Sequence, residues 1–169
     1  MAKLPLRDRL KQAEPLLADG AMGTLLHQRG AAINACFDAL NLTAPELVKQ
    51  IHHDYIMAGS RLIETNTFGA NRYKLDEYGL GGNVVEINQA AVKIVQEAIA
   101  KSGCDEDIYV AGSVGPIRVG MRPYGRLNKS DVRTAYVEQI RALAHAGVDC
   151  ILLETFTDHQ EIFIALDVI

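Results

Sequence analysis

Four short apolar segments of this sequence all end in small or polar residues. They are "PLLADGAMG" (15–23), "RLIETNTFGAN" (61–71), "IYVAGSVGP" (108–116) and "CILLETFTD" (150–158). Short apolar runs bounded by turn-forming residues are typical of strands buried on both faces, as in a parallel sheet covered by helices. We therefore predict four strands, each followed at its carboxyl end by polar groups.

Helical patterns with marked ends lie between these runs. Apolar residues recur every three or four positions, giving each predicted helix one core-facing stripe: Leu47, Ile51 and Tyr55; Ile87, Ala91, Ile94 and Ala98; Val132, Tyr136, Ile140 and Leu143. Predicted starts are Thr43 with Glu46, Asn83 with Glu86, Asp158 with Glu161, and Ser130 as a plain N-cap. Predicted ends are Gly59, Gly103 and Gly147, because glycine adopts the left-handed conformation without steric cost.

Alternating strands and helices imply a parallel sheet with right-handed crossovers. Functional groups at the ends of several strands favour a (β/α)8 barrel of the TIM type over an open sheet, and "ADGAMG" does not match the G-x-G-x-x-G pattern of dinucleotide binding. Strands recur roughly every 40 to 47 residues and a barrel has eight βα units. The 169 residues are therefore expected to form the first four units, a truncated half barrel spanning 1–169.

The composition of the chain limits the classes of partner that it is expected to bind. The chain carries 17 Lys and Arg against 21 Asp and Glu, a net charge of −4, so charge favours neither nucleic acid nor an anionic membrane. Charged residues interrupt the N-terminal segment too often for a signal peptide, and no apolar run is long enough to span a membrane. We expect a cytoplasmic protein.

Neither the cysteines nor the histidines form a metal-binding pattern. Cys36, Cys104 and Cys150 are far apart, and we place Cys36 and Cys104 outside the strand ends and Cys150 at the start of a strand. Adjacent His52 and His53 point about 100 degrees apart on a helix, whereas metal-binding pairs use i, i+4 spacing, so a helix-surface role is expected. We predict that this chain holds no metal.

Five phrases together resemble the homocysteine S-methyltransferase family: "DGAMGT" (19–24), "IHHDYIMAG" (51–59), "ETNTFGAN" (64–71), "AGSVGP" (111–116) and "LLETFTD" (152–158). Within it, "CFDALNLT" and "RPYGRL" most resemble bifunctional proteins that join this domain to a methylenetetrahydrofolate reductase. The resemblance implies a (β/α)8 barrel in which zinc, held by three cysteine thiolates, activates the homocysteine thiol for methylation to methionine. The family's metal cysteines lie in the second half of the barrel, and none of the three here aligns with them. The fragment alone is therefore expected to bind no zinc and to transfer no methyl group.

The resemblance also implies roles in holding homocysteine. Asp19 and Glu154 would meet the substrate ammonium, because an unpaired buried charge is very costly. Backbone N–H groups of Gly20, Ala21 and Met22 would meet the substrate carboxylate. Glu64 and Asn66 would line the neighbouring strand end. No catalytic residue is assigned within the chain.

Several alternatives remain open at this point. Asp19 could cap the short helix that follows it, and Glu154 could be a structural carboxylate at a strand end. Glu64 and Asn66 could serve only to hold loops together. The chain could be a non-catalytic homocysteine-binding half barrel or structural module, or part of a phosphate-using barrel enzyme in which "GSVGP" binds the anion. The methyl donor is undetermined, a reductase domain could follow, and exposed strand edges predict self-association.

Overall fold

The computed structural model describes residues 3–123 and 125–169, and it shows helices packed on a parallel sheet. The sheet has three strands in the order β1-β2-β3: β1 Leu62–Glu64, β2 Tyr109–Val114 and β3 Cys150–Leu153. The helices are α1 Leu6–Arg9, α2 Gly23–Gln28, α3 Leu40–Thr43, α4 Pro45–Met57, α5 Arg72–Asp76, α6 Val84–Ser102, α7 Lys129–Ala146 and α8 His159–Leu166. The predicted α/β class with a parallel sheet is confirmed.

The first predicted strand is reduced to a single bridge, between Ala18 and Leu62, so the expectation of a full strand there was wrong. The segment does run parallel to β1, since the Leu62 N–H donates to the Leu17 carbonyl at 3.1 Å and the Asp19 N–H donates to the Leu62 carbonyl at 3.0 Å. The pairing then stops because the Glu64 N–H bonds the side chain of Asp19 instead of a backbone carbonyl. The Asp19 carboxylate thus takes the place of the backbone carbonyl that would have continued the ladder.

The middle strand β2 forms the centre of the core. All six of its residues are buried, and it pairs with β1 on one side and β3 on the other. The long helices α4, α6 and α7 pack together and cover the sheet with apolar side chains such as Ile56, Val95 and Leu143. This burial fixes the strands in register, with Glu64 beside Ala111 and Val114 beside Leu153, so that their carboxyl ends lie at one edge.

Glycine ends three helices as predicted. Gly59 follows the last turn of α4 with φ 106°, and Gly103 and Gly147 terminate α6 and α7 with φ 62° and 93°. The positive φ values explain why glycine stands at these positions.

The observed helix starts agree only in part with those predicted from the sequence. Asp158 caps α8 by accepting the Gln160 N–H at 2.8 Å, but Glu161 bonds the Ile117 N–H and the Tyr136 hydroxyl, both at 2.7 Å, instead of closing a capping box. Asn83 stands at the N-cap of α6, where its side chain donates to the Glu86 carboxylate rather than accepting a backbone N–H.

Two predicted starts were wrong. Thr43 ends α3 and donates its hydroxyl to the Ala39 carbonyl, so α4 begins at Pro45, whose fixed φ suits a first helical turn. Ser130 lies inside α7, because Asn128 and Asp131 form a reciprocal capping box two residues earlier.

The helix-surface interpretation of His52 was also wrong. Its side chain is fully buried because α6 packs against α4, and neither ring nitrogen has a hydrogen-bond partner among the described residues. Burial lowers the pKa of His52 to about 3, so the ring is neutral near pH 7. No helix within the described ranges is both long and apolar enough to cross a membrane.

Candidate functional site

The carboxyl ends of the strands open into a cleft of about 590 Å³. All seven residues predicted as binding residues line it: Asp19, Gly20, Ala21, Met22, Glu64, Asn66 and Glu154. They come from three separate parts of the sequence, and the parallel sheet brings them together because its carboxyl ends share one edge. Whether they bind a ligand stays a prediction.

Asp19 is fixed by the backbone of β1. Its carboxylate oxygens Oδ1 and Oδ2 accept the Glu64 N–H at 3.1 and 3.2 Å. Burial raises the pKa of Asp19 to about 7, and the charge of Glu154 raises it further, against the lowering effect of the backbone N–H bonds. The alternative in which Asp19 caps α2 is not observed, since the N-cap of α2 is Met22 and lacks a side-chain capping bond.

Glu64 and Glu154 complete a group of carboxyl side chains that we call the three-carboxylate cluster (Asp19, Glu64 and Glu154). Burial raises the pKa of Glu64 to about 7, with further contributions from the charges of Asp19 and Glu154 and from a hydrogen bond with Glu154. Glu154 accepts the Ser113 hydroxyl at 2.5 Å and the Thr155 hydroxyl at 3.4 Å. The cluster is therefore held from β1, β2 and the residues that follow β3.

The cluster has no cationic partner within residues 3–123 and 125–169. None of the ion pairs formed in the described part of the chain includes Asp19, Glu64 or Glu154. Buried charges are ordinarily paired, because desolvation penalises an isolated ion strongly. Three adjacent carboxyl groups without a counter-charge are thus suited to receive a cation from outside the chain.

The loop after Asp19 presents backbone donors to the same cleft. The N–H groups of Gly20, Ala21 and Met22 donate to no atom within residues 3–123 and 125–169. The loop is held in place because the Tyr55 hydroxyl donates to the Ala21 carbonyl at 2.9 Å. Gly20 avoids a tight contact, because a Cβ there would lie 3.2 Å from that hydroxyl oxygen. Free N–H groups beside a carboxylate cluster can hold an anion next to a cation.

Asn66 lies at the cleft but holds protein loops together. Its side-chain Nδ2 donates to the Phe37 carbonyl at 2.7 Å and to Asn41 Oδ1 at 3.2 Å, and Asn41 Nδ2 donates to the Asn66 carbonyl at 2.8 Å. The neighbouring Thr67 hydroxyl donates to the Ser113 carbonyl at 2.7 Å. For Asn66 the structure therefore shows the loop-holding alternative.

Sequence reasoning missed the contribution of the segment before α3. Asp38 lines the cleft and accepts the Gly69 N–H at 2.9 Å, and burial raises its pKa to about 6. The signal was a lone carboxylate inside the apolar phrase "ACFDALNL", which is unusual for a solvated loop. Gly69 leaves room for it, since a Cβ there would come within 2.8 Å of Asp38 Oδ2.

The cysteines do not form a metal site. Cys36 lines the cleft, contrary to the expectation that it lies outside the strand ends, whereas Cys150 begins β3 and Cys104 follows α6 as predicted. Burial raises the pKa of the Cys36 and Cys150 thiols, which disfavours the thiolate that zinc requires. Residues 3–123 and 125–169 contain no group of three or more His, Cys, Asp and Glu side chains arranged to hold a metal ion.

The sequence matches the profile of a protein family described as Homocysteine S-methyltransferase, over residues 16–169. The chain belongs to this family. The match includes every element of the cleft, from the Asp19 loop to the residues after β3. The family predicted from five short phrases is therefore confirmed.

The chain is similar to the methionine synthases of Mycobacterium tuberculosis and Mycobacterium leprae, each 32% identical over 150 residues. The aligned region covers 85% of this chain and 12% of each synthase. In structure, the chain is similar to the metallated form of the homocysteine methyltransferase MmuM from Escherichia coli, with 27% identity and a TM-score of 0.84. That match covers 98% of this chain and 62% of MmuM, so this chain spans less than two thirds of each of these relatives.

Proposed function

We propose that this chain forms the amino-acid-binding part of a homocysteine S-methyltransferase, an enzyme that transfers a methyl group to the thiol of homocysteine and produces methionine. The observation that carries this proposal is the three-carboxylate cluster, which has no cationic partner among the described residues and shares the cleft with backbone N–H groups that find no acceptor there. An α-amino acid carries an ammonium and a carboxylate on one carbon atom. The cleft offers carboxyl acceptors for the ammonium and backbone N–H donors for the carboxylate along the same lining.

Asp19 and Glu154 are the proposed partners of the ammonium. Each is already oriented by the protein, Asp19 by the Glu64 N–H and Glu154 by the Ser113 hydroxyl. A carboxylate has about four lone-pair sites, so both can still accept bonds from a ligand. Preorganised acceptors reduce the entropy that binding would otherwise cost.

The substrate carboxylate is proposed to lie against the N–H groups of Gly20, Ala21 and Met22. Their exposure leaves them open to a ligand, and Gly20 presents no side chain toward the approaching group. This arrangement orients the homocysteine side chain along the cleft. The described residues therefore bind and position the amino acid.

Zinc belongs to the family by resemblance, and the MmuM structure is described as metallated. The thiols of this chain do not fit a zinc site, since only Cys36 lines the cleft and its pKa is raised. We therefore assign no chemical step to zinc here and propose that its ligands lie outside this chain. Metal analysis after dialysis and an assay for methionine formation test the prediction that the chain alone binds no zinc and transfers no methyl group.

The extent of the fold and its partners are also proposals. The three strands and the bridged Ala18 segment correspond to the first four βα units of a (β/α)8 barrel. The open outer edges and exposed apolar residues such as Leu17 and Phe163 support self-association, which light scattering would detect. The proposal of a downstream reductase domain rests only on the phrases "CFDALNLT" and "RPYGRL". No contact in the structure bears on the methyl donor or on the cytoplasmic location.

One alternative is weakened by a specific contact. A phosphate-binding role for "GSVGP" needs free N–H groups, but the Ser113 N–H donates to Thr65 Oγ1 at 3.1 Å and the Gly115 N–H donates to the Phe68 carbonyl at 3.0 Å. The Ser113 hydroxyl is bonded to Glu154, whose carboxyl group would also repel an anion. A non-catalytic homocysteine-binding module remains the second candidate, and methionine formation by the full-length protein distinguishes the two.

Binding calorimetry on the full-length protein tests the proposal. Glu154→Gln and Asp19→Asn should each weaken homocysteine binding more than about tenfold, because each removes a charge-assisted hydrogen bond worth about 1.5 to 3 kcal/mol. Glu46→Gln, on the exposed surface of α4, is the matched control and should leave the affinity unchanged. Unchanged affinity in both cleft variants would contradict the proposed site.

A further inference from the structure

We propose that Ser113 is a positioning residue for the ammonium site: its hydroxyl fixes the Glu154 carboxylate, and the hydroxyls of Thr65 and Thr67 in turn fix Ser113. The inference rests on the proposed function, since it concerns the same cleft. It adds that the affinity for the substrate ammonium depends on a series of buried hydroxyl groups that act through Glu154 and not on the ligand directly.

Threonine hydroxyls take the place of a backbone strand beside Ser113. The regular ladder between β1 and β2 ends with the bond from the Thr65 N–H to the Ala111 carbonyl at 2.9 Å. Ser113 lies two residues further along β2, where its N–H donates to Thr65 Oγ1 at 3.1 Å and its carbonyl accepts the Thr67 hydroxyl at 2.7 Å. Both backbone polar groups of Ser113 are therefore held by side chains from the loop after β1.

The direction of each hydroxyl proton follows from these contacts, because a hydroxyl group has one proton to donate. The Thr67 proton points to the Ser113 carbonyl, which can only accept. In the 2.6 Å bond between Thr65 Oγ1 and Thr67 Oγ1, Thr65 is therefore the donor. The Ser113 hydroxyl donates to Glu154 Oε1 at 2.5 Å. Each of the three hydroxyl protons thus has its own acceptor, and the series ends on the carboxylate.

The series is buried and supported by the helix layer. Thr65, Thr67 and Ser113 are only 3%, 0% and 2% exposed. Gln139 of α7 is also fully buried, and its Nε2 donates to the Thr67 carbonyl at 2.8 Å. Breaking any of these bonds would leave a buried polar group without a partner, which is costly, so the hydroxyls keep one arrangement. Glu154 therefore receives its hydrogen bond from a rigid donor.

The backbone at Glu154 is held in place as well. Its N–H donates to the Val114 carbonyl at 3.1 Å, which continues the ladder between β2 and β3. The next residue, Thr155, has a φ of 61°, a left-handed value that is unusual for a β-branched side chain. Unfavourable backbone conformations of this kind are concentrated at ligand sites, where surrounding contacts hold them. The Ser113 hydroxyl and this turn together fix the position of the Glu154 carboxylate.

Loss of the Ser113 hydroxyl should therefore affect only ligands that carry an ammonium group. The bond between an ammonium and a carboxylate is charge-assisted and depends on geometry, and an acceptor that is already oriented loses less entropy on binding. Under the proposed function, the carboxylate and the thiol of homocysteine do not contact Glu154. Their contribution to binding should not change.

Binding calorimetry on the full-length protein tests the inference with two ligands: homocysteine and its deamino analogue, which keeps the carboxylate and the thiol. Ser113→Ala should weaken homocysteine binding about two- to tenfold and leave binding of the analogue unchanged. Thr67→Val should give the same pattern with a smaller loss. Thr67→Ser, which restores the hydroxyl, should bind homocysteine as the unchanged protein does.

Two matched controls remove hydroxyls that also bond a backbone carbonyl. Ser102→Ala acts at the end of α6, where the hydroxyl donates to the Ile99 carbonyl at 2.7 Å. Thr134→Val acts on the exposed face of α7, where the hydroxyl donates to the Ser130 carbonyl at 2.8 Å. Neither Ser102 nor Thr134 is among the residues that line the cleft, so both ligands should bind these variants as they bind the unchanged protein.

The possible results separate this inference from the proposed function. Equal weakening of both ligands in Ser113→Ala, or no weakening of either, would overturn the inference and leave the amino-acid site in place. A loss in Thr67→Val that Thr67→Ser does not restore would overturn the role of Thr67. If homocysteine does not bind the unchanged protein, the proposed function fails and the inference fails with it.

Two further measurements keep the test decisive. If Thr67→Val does not fold, Ser113→Ala decides the inference, because it removes a single hydroxyl and adds no volume. If the analogue binds too weakly to measure, Ser113→Ala is combined with Glu154→Ala. No further loss of homocysteine affinity in the double variant would support the inference, and a loss equal to that of Ser113→Ala alone would overturn it.

Discussion

The amino ends and the carboxyl ends of the strands differ in whether their charged side chains form ion pairs. Two ion pairs form at the amino ends of the strands: Lys3 pairs with Asp149 at 2.7 Å and Arg61 with Glu106 at 2.9 Å. Asp149 also accepts the Val110 N–H at 2.8 Å, which ties it to the central strand. At the carboxyl ends, the three-carboxylate cluster has hydrogen bonds but forms no ion pair in the described part of the chain.

This difference separates stability from function. Paired charges at the amino edge stabilise the fold, whereas carboxyl groups held together without a counter-charge repel one another and lower stability until a ligand arrives. In barrels of this architecture the carboxyl ends of the strands carry the chemistry and the amino ends carry stability. The paired Asp149 and Arg61 at the amino ends and the three-carboxylate cluster at the carboxyl ends follow the same division.

The largest effect on stability should come from filling the space beneath the carboxyl edge. A Cβ at Gly115 would lie 2.4 Å from the Phe68 ring, so Gly115→Ala should lower the free energy of unfolding by about 1 to 3 kcal/mol. Chemical denaturation measures the loss. Gly82→Ala is the control, because nothing lies within 4 Å of its Cβ position, and an equal loss in both variants would show that the Phe68 contact is unimportant.

A smaller effect of opposite sign should follow from removing charge at the same edge. The pKa of Glu64 is raised from 4.5 to about 7 in the folded chain, so its contribution to stability is present below about pH 4.5 and lost as pH rises through 7. Because glutamine does not ionise, Glu64→Gln does not lose this stability as pH rises. The variant should be more stable than the unchanged protein by about 1 kcal/mol at pH 8, a free energy that allows for solvent screening of the partly exposed side chain. A variant less stable than the unchanged protein at pH 8 would show that the cluster is not under electrostatic strain.

The sequence predicted the parts of the fold that depend on local pattern. The strands ending at Glu64 and Leu153 and the glycines that end α4, α6 and α7 follow from apolar runs and from backbone conformations that glycine alone adopts easily. The gathering of Asp19, Glu64 and Glu154 at one cleft also followed, because parallel strands place their carboxyl ends together.

The remaining features depend on contacts between distant segments. Asp38 and Cys36 reach the cleft because their segment folds across the end of β1, and no periodicity in the sequence signals that crossing. Asn66 bonds to Asn41 and the Phe37 carbonyl, so its amide holds a loop rather than facing the cleft alone. His52 is buried because α6 covers α4 on a face wider than the apolar stripe indicated.

One paired measurement tests most directly the claim that the carboxyl edge serves a ligand and the amino edge serves stability. Glu154→Gln and Asp149→Asn each remove one negative charge, from opposite ends of the sheet, and each is measured in the full-length protein for homocysteine affinity and for unfolding free energy. We predict that Glu154→Gln weakens binding more than about tenfold without loss of stability, while Asp149→Asn lowers stability by about 1 to 2 kcal/mol and leaves affinity unchanged. Loss of affinity in Asp149→Asn equal to that in Glu154→Gln, or loss of stability alone in Glu154→Gln, would contradict the account.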